Sequence, residues 1–177
     1  MRIISGKYRG KKLKEFELET TRPTTDRVKE SIFNLIQFDV ANAVVLDLFS
    51  GTGALGIEAI SRGAKKTFLI DKNLQAIKII KENLKGIEAD YQVVNADYAS
   101  FLNSNKTKFD IVLLDPPYKT NLGAEAIDFL INNNRINDDG IIIFETADEI
   151  DFDFNYEGYN IDRRKYGTVA VYKFVKQ

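Results

Sequence analysis

Apolar residues in this chain form short continuous runs that alternate with segments of helical spacing. Buried strands are predicted at Val44–Phe49, Lys66–Asp71, Tyr91–Val94, Phe109–Leu114 and Ile141–Phe144. Helices are predicted between them at Ala54–Arg62, Asn73–Lys85 and Ala124–Ile131. Strands that are apolar throughout and alternate with helices indicate a parallel sheet with helices on both faces.

Both ends of the chain depart from this alternation. Near the start, Ile3, Ile4 and Leu13 flank two glycines, which predicts a short hairpin, and Val28, Ile32, Leu35 and Ile36 form one helical stripe. Near the end, Tyr159–Arg163 and Thr168–Phe174 follow each other without a helix. We therefore expect an α/β fold with a mostly parallel seven-stranded sheet and an antiparallel C-terminal hairpin. Residues 1–40 would form a small basic hairpin-plus-helix extension to a domain at 41–177.

Composition narrows the possible chemistry. The 177 residues are 44% hydrophobic, enough for one domain with a core, and include neither cysteine nor histidine. Disulfides, thiolate nucleophiles, histidine triads and the common zinc sites are thereby excluded. Metals bound by carboxylates remain possible, although no metal is expected. No apolar run approaches the roughly 18 residues that span a bilayer. A cytoplasmic protein without a membrane segment is the expectation.

A glycine-rich loop follows the first predicted strand. Gly51-Thr52-Gly53-Ala54-Leu55-Gly56 opens a helix, and Asp71 ends the next strand, twenty positions after Gly51. This spacing is typical of a nucleotide site, although a turn of small residues that packs strand against helix would look the same. Asp47 precedes the loop and Asp97 follows the third strand. Acids at three strand ends suit a cationic adenosine ligand such as S-adenosylmethionine, although each alone would also serve as a cap or turn residue.

The fourth strand ends in Asp115-Pro116-Pro117-Tyr118, which contains two of the three prolines in the chain. Such a loop suits methyl transfer to an exocyclic amino group of a base. Oxygens of Asp115 and Pro116 would accept its hydrogens, Pro117 would fix the carbonyl direction and Tyr118 would stack on the base. A rigid loop that only ends a strand is the alternative.

These motifs, with Arg22-Pro23-Thr24-Thr25-Asp26-Arg27 and Lys165-Tyr166-Gly167, resemble the RsmD family of 16S rRNA guanine-N2 methyltransferases. The resemblance covers essentially the whole chain and implies a class I, Rossmann-like methyltransferase fold with S-adenosylmethionine as cofactor. It implies that Asp115, Pro116, Pro117 and Tyr118 hold the guanine amino group. The implied cofactor residues are Asp47, Phe49, Ser50, Gly51 and Gly53 near the methionine end, Asp71 at the ribose, and Asn95, Ala96 and Asp97 at the adenine. Arg22, Thr24 and Arg27 would lie near the cofactor or a flipped nucleotide.

Basic residues suggest where RNA would bind. One group comprises Arg2, Lys7, Tyr8, Arg9, Lys11 and Lys12, with Arg22 further along, and a second comprises Arg163, Arg164, Lys165 and Tyr166. We expect both groups to flank the Asp115–Tyr118 loop and the acidic stretch 145–160 to face away from RNA. The net charge of −1 favours a structured substrate recognised by shape, such as the small ribosomal subunit or an assembly intermediate. The family resemblance suggests a monomer.

Three other functions compete with this interpretation. A DNA adenine-N6 or other nucleic-acid amino-methyltransferase would use the same Asp115–Tyr118 motif, but the 61 positions between Gly53 and Leu114 leave no room for a target-recognition module. A nicotinamide dehydrogenase would use the glycine loop but has no role for Asp47 or Asp115. A non-catalytic RNA-binding module on the same fold would not need the intact motif.

Overall fold

The computed structural model describes residues 1–16 and 25–177. Its helices are α1 (Asp26–Leu35), α2 (Ala54–Ser61), α3 (Leu74–Asn83), α4 (Tyr98–Ser104) and α5 (Leu122–Asn132). Its strands are β1 (Val44–Asp47), β2 (Lys66–Asp71), β3 (Tyr91–Asn95), β4 (Phe109–Leu114), β5 (Ile136–Ala147), β6 (Tyr159–Tyr166) and β7 (Val169–Lys176).

The strands form one sheet in the order β3-β2-β1-β4-β5-β7-β6. Strands β1 to β5 pair in parallel, whereas β7 is antiparallel to both β5 and β6. The predicted mostly parallel seven-stranded sheet with an antiparallel C-terminal hairpin is thus confirmed. Strands β1 to β6 therefore point in the same direction, and their carboxyl ends lie along one side of the sheet, which we call the carboxyl edge.

Helices cover both faces of the sheet, as predicted. On one face, α4 and α5 bury Phe101 and Ile127 against Phe68, Val112 and Phe144, among other residues. The opposite face carries α1, α2 and α3, whose apolar side chains fill two further clusters. Because central strands are covered on both sides, nearly every position in β1 and β4 is apolar.

Several element boundaries differ from the sequence predictions by a few residues, and one helix was not predicted. Strand β1 ends at Asp47 rather than Phe49, and β5 begins at Ile136 rather than Ile141. The early part of β5 was missed because the polar Asn137, Asp138 and Asp139 interrupt its apolar pattern. Helix α4 was not predicted, since its seven residues are too few to show a helical period.

The N-terminal segment packs against the domain rather than standing apart from it. Its predicted short hairpin is confirmed: Arg2 and Lys12 form an antiparallel bridge, and the amides of Ile3 and Leu13 donate to the carbonyls of Lys11 (2.9 Å) and Met1 (3.0 Å). The buried Glu58 carboxylate in α2 accepts hydrogen bonds from the amides of Ile4 (2.9 Å) and Ser5 (3.0 Å). Lys29 of α1, fully buried, places its Nζ 3.5 Å from Glu58 and donates to the Arg2 carbonyl at 2.6 Å. A buried charge network therefore joins residues 1–5, α1 and α2, and the division of the chain at residue 40 stays a prediction.

Candidate active site

The acids predicted to bind a ligand lie together at the carboxyl edge. Asp47 and Asp71 end β1 and β2, Asn95 ends β3, and Asp115 follows β4. The register pairs Asp47 with Leu69 on one side and with Leu113 on the other, so the strand ends are nearly level. The topology thus brings together side chains that lie up to 68 positions apart in the sequence, from Asp47 to Asp115.

The glycine loop is a tight turn with one open side. Gly53 donates its amide to the Ser50 carbonyl at 2.7 Å, and Gly51 donates its amide to Oδ2 of Asp71 at 2.9 Å. Gly51 and Gly53 adopt φ values of 55° and 81°, which favour glycine. A Cβ on Gly51 would meet no described atom within 4 Å, so this part of the loop borders open space.

Asp47 is a buried carboxylate beneath this loop, 1% exposed. Its Oδ2 accepts the Gly56 amide at 2.8 Å, and a Cβ at Gly56 would lie only 3.0 Å from that oxygen, so the glycine permits the close approach. Its Oδ1 is buried and has no hydrogen-bond partner among the residues that the structure describes. Burial, reinforced by the charges of Asp115 and Asp71, raises the pKa of Asp47 to about 7. An unpartnered buried carboxylate oxygen fits a ligand ammonium group, which would supply both a donor and a charge.

The acids at β2 and β3 already hold local backbone. Oδ1 of Asp71 accepts the Asn73 amide at 2.8 Å, and the Asn95 side chain donates to the Asp71 carbonyl at 3.0 Å. Asp97 caps α4 by accepting from the amide and the hydroxyl of Ser100, at 3.0 and 2.7 Å. These bonds hold the pKa of Asp97 below its usual range. The capping role that sequence left open for Asp97 is therefore observed, and its adenine role stays a prediction.

Phe49 and Ala96 line this end of the sheet with apolar surface. Both are half-buried against the core on the α5 face, and the Phe49 ring lies 5.8 Å from that of Tyr98. The Tyr98 hydroxyl donates to Glu125 at 2.5 Å, which raises the pKa of Tyr98 to about 12. The hydroxyl of Ser50 donates to the Asp47 carbonyl at 2.8 Å, so it stabilises the loop that Asp47 supports.

The Asp115–Tyr118 loop is fixed by its own contacts. Pro116 is buried and Pro117 exposed, and the Thr120 hydroxyl donates to the Pro117 carbonyl at 2.7 Å. The Tyr118 hydroxyl donates to Oε1 of Glu145 at 2.9 Å. These contacts, with the restricted φ of two prolines, hold the loop in one shape.

A cavity of about 480 Å³ opens beside Tyr118, between the start of α1 and the β6–β7 turn. Its walls include Arg27, Glu145, Lys165 and Tyr166. We call it the Tyr118 cavity. Arg27, for which sequence left cofactor and nucleotide contacts open, lies on this wall, whereas Arg22 and Thr24 fall outside the described residues.

The structure separates the two basic groups that were expected to flank the loop. Lys165 and Tyr166 line the Tyr118 cavity, but Arg164 pairs with Asp162 at 2.7 Å and borders a different hollow. The Tyr8 hydroxyl donates to the Glu88 carbonyl at 3.1 Å, and the Lys11 ammonium contacts the Lys85 carbonyl. Residues 85–90 lead into the amino end of β3, so Tyr8 and Lys11 lie at the opposite edge of the sheet. The expectation that this group flanks the loop is therefore wrong for Tyr8 and Lys11. Arg2 lies elsewhere, because its amide donates to Oδ1 of Asp26 at 3.2 Å, at the start of α1, which borders the cavity.

We had expected the acidic stretch 145–160 to face away from the site, but part of it borders the site. Glu145 borders the Tyr118 cavity, and Asp148 pairs with both Lys165 and Arg163, the latter at 3.0 Å. These ion pairs hold the pKa of Asp148 below its usual range, with the bond from Lys165 as the largest cause. The stretch therefore compensates part of the positive charge on the C-terminal hairpin.

Glu145 was not predicted from the sequence as a site residue. A usable signal existed, because Glu145 follows the apolar run of β5 just as Asp115 follows that of β4. In residues 1–16 and 25–177 no group of three or more acidic side chains is arranged to hold a metal ion. Nor does this part of the chain contain a helix long and apolar enough to cross a membrane.

Comparison with known proteins identifies the family. The model of the RsmD family, described as Conserved hypothetical protein 95, matches residues 1–175. The chain belongs to this family. RsmD-family relatives named Ribosomal RNA small subunit methyltransferase D include the Escherichia coli K12 protein, 34% identical over 100% of this chain and 90% of its own. The Haemophilus influenzae protein of the same name is 38% identical over 82% of this chain and 78% of its own.

Solved structures confirm the fold expected for the RsmD family. The Escherichia coli protein yhhF has a TM-score of 0.88 and 33% identity, covering 100% of this chain and 98% of its own. A Thermus thermophilus 16S rRNA N2 methyltransferase, solved with AdoMet and guanosine, has a TM-score of 0.73 at 18% identity over 92% of this chain and 45% of its own. The latter likeness concerns the fold alone. Both support the class I, Rossmann-like methyltransferase fold.

Proposed function

We propose that this chain transfers a methyl group from S-adenosylmethionine to the exocyclic N2 amino group of a guanine in 16S rRNA. Its relatives in Escherichia coli and Haemophilus influenzae carry the name of an rRNA methyltransferase. One observation carries the proposal at the level of chemistry. The Asp115–Tyr118 loop adjoins a glycine loop whose supporting acid, Asp47, has a buried oxygen without a described partner.

The cofactor residues follow from this arrangement. Oδ1 of Asp47 would accept from the ligand ammonium group, and the open side of Gly51 admits the methionine end beside Phe49, Ser50 and Gly53. Asp71 would accept from the ribose hydroxyls. The adenine would lie against Asn95, Ala96 and Asp97. When bound, S-adenosylmethionine supplies an electrophilic methyl group on a sulfonium.

The chain itself positions the nucleophile. Tyr118 offers a ring on which the base stacks. A carboxylate oxygen of Asp115 and the carbonyl of Pro116 accept the two amino hydrogens, and this directs the nitrogen lone pair toward the methyl group. Thr120 engages the Pro117 carbonyl, which keeps the loop in place. No strong base is required, because the amino proton becomes acidic as the nitrogen gains positive charge. Positioning and charge stabilisation therefore supply the catalysis.

Two surfaces would contact RNA around the target nucleotide. Arg27, Lys165 and Tyr166 border the Tyr118 cavity, where they would hold the flipped nucleotide and its phosphates. The other predicted RNA contacts would reach phosphates around the target nucleotide. They are Tyr8 and the basic residues Arg2, Lys7, Arg9, Lys11, Lys12 and Arg164, with Arg22 outside the described residues. Contacts at both edges of the sheet favour a large, structured substrate. We therefore propose the small ribosomal subunit or its assembly intermediate, modified by a cytoplasmic monomer.

The test is transfer of radiolabelled methyl groups to small subunits from cells that lack the modification, with free 16S RNA and duplex DNA alongside. We expect label on N2 of one guanine, identified by mass spectrometry of the nuclease digest, and more label on subunits than on free RNA. Light scattering of the purified protein checks the monomer.

Each of the other outcomes indicates a different function for the protein. Label on adenine N6 in DNA would replace the proposal with the DNA amino-methyltransferase. Binding of subunits without transfer, unchanged by Asp115→Ala, would indicate a binding module.

A further inference from the structure

Glu145 is a buried carboxylate in the wall of the Tyr118 cavity. It is 1% exposed, yet it contributes to the wall of this 480 Å³ space together with Tyr118 and two cationic residues, Arg27 and Lys165. The cavity is large enough for a nucleotide, with aromatic groups for a base and cations for a phosphate. A carboxylate in the wall of such a cavity is a candidate partner for the polar edge of a base that enters it.

The register of the sheet places Glu145 beside Asp115. Leu114 of β4 and Phe144 of β5 are paired positions, so Asp115 and Glu145 are the next residues on two neighbouring parallel strands. Such strands lie about 4.8 Å apart, and successive side chains alternate between faces. Leu114 and Phe144 pack into the core on the α5 face. Asp115 and Glu145 therefore share the opposite face, on which α1 borders the cavity.

Guanine presents two neighbouring donors, the N1–H group and the N2 amino group. On the basis of the function proposed above, we propose that Glu145 accepts the N1–H of the target guanine while Asp115 and the Pro116 carbonyl accept from N2. A carboxylate offers several acceptor positions, and the Tyr118 hydroxyl donates to Oε1 of Glu145 at 2.9 Å. Glu145 is thus a specificity-determining residue, and Tyr118 both stacks on the base and orients the group that reads it.

Bases without an N1–H are rejected by the same contact. Adenine and 2-aminopurine carry a lone pair on N1, which would face a carboxylate in a buried setting. The loss of a hydrogen bond to a charged group, together with this repulsion, predicts discrimination of about tenfold or more. 2-Aminopurine is the informative analogue because it keeps the N2 amino group and so remains a methyl acceptor.

The experiment compares two substrates for each of three proteins. Small subunits are reconstituted with 16S RNA that carries either guanosine or 2-aminopurine riboside at the nucleotide that the wild-type protein labels. The ratio of kcat/KM on the two substrates is measured for wild type, Glu145→Gln and Glu157→Gln. Glu157 is an exposed acid of the same stretch and serves as the matched control. The ratio for one protein does not depend on its folded fraction.

We expect wild type to favour guanine and Glu145→Gln to lower that preference by at least about tenfold, since an amide can turn its NH2 group toward the N1 lone pair. Glu157→Gln should keep the wild-type ratio. Equal losses on both substrates in Glu145→Gln would overturn the assignment and leave the proposed function standing. Failure of wild type to label guanine in subunits would instead refute the proposed function, and the assignment with it.

Discussion

Replacing Asp47 with asparagine should stabilise the protein and weaken its cofactor site at the same time. The side chain is buried, and its pKa stands at about 7 against an ordinary value of 3.8. The substituted asparagine would keep the bond from the Gly56 amide through its carbonyl oxygen. It would place an NH2 group where we expect the ligand ammonium, so a favourable charge contact becomes a contact between two donors.

The magnitude follows from linkage between protonation and folding. Between about pH 4 and pH 7 the folded protein holds a proton that the unfolded chain has released, so stability falls as pH rises through this window. At about 1.4 kcal/mol per pH unit, the cost on the order of 4 kcal/mol is complete above pH 7. Asp47→Asn removes it, and its melting temperature should exceed that of wild type at pH 8 but not at pH 4.

Ligand binding should show the opposite dependence. The ligand ammonium requires ionised Asp47, whose pKa is about 7, so the Kd of S-adenosylhomocysteine should rise about fivefold as pH falls from 7 to 6. Asp47→Asn should weaken binding at pH 8 by about tenfold or more and remove the pH dependence. Calorimetric titration at pH 6, 7 and 8 measures both effects, with the exposed Asp153→Asn as control. An unchanged Kd in Asp47→Asn would refute the reasoning.

Three further predictions concern contacts that support the site. Asn83 donates to the Thr52 carbonyl at 2.9 Å and forms hydrogen bonds with both the amide and the carbonyl of Lys14. Asn83→Ala should therefore lower the free energy of unfolding, measured by urea titration, by about 2–3 kcal/mol. It should also weaken S-adenosylhomocysteine binding, because Thr52 belongs to the glycine loop. Lys29→Met should cost about 3–5 kcal/mol in the same assay, because it removes a partner of the buried Glu58; a cost below about 1 kcal/mol would contradict this. Gly6→Ala would place a Cβ 1.8 Å from the Ser61 carbonyl oxygen at a φ of 86°, so proteolysis of the N-terminal segment should accelerate.

Sequence periodicity was sufficient to predict the sheet and the position of the glycine loop, because each depends on local pattern. Asp47, Asp71 and Asp115 could be assigned to one edge because parallel strands must end together. The orphaned oxygen of Asp47 could not be foreseen, since it depends on which neighbours approach the carboxylate in space.

Charge runs were poorer guides than apolar runs. The basic residues around Tyr8 were expected beside the Asp115–Tyr118 loop, but the position of Tyr8 depends on contacts with Ser61 and Glu88, more than fifty positions away. Similarly, Asp148 was expected to avoid RNA, yet its pairing with Lys165 is a long-range contact that no local pattern contains. Oppositely charged runs attract each other, which composition alone does not reveal.

The contacts of the N-terminal segment have a consequence for biosynthesis. Residues 4–14 leave the ribosome before their partners Glu58, Ser61 and Asn83, which follow 53 to 69 positions later. The chain must lose the conformational entropy of closing such a long loop before these contacts can stabilise it. The segment therefore stays undocked while α1, β1 and α2 are synthesised. Residues 4 and 5 join α2 once it has emerged, and Lys14 joins α3 later. Pulse-labelled hydrogen exchange on stalled nascent chains should show the Ile4 and Ser5 amides unprotected until α2 has left the exit tunnel. The beginning of this chain is among the last parts of its N-terminal half to reach its final place.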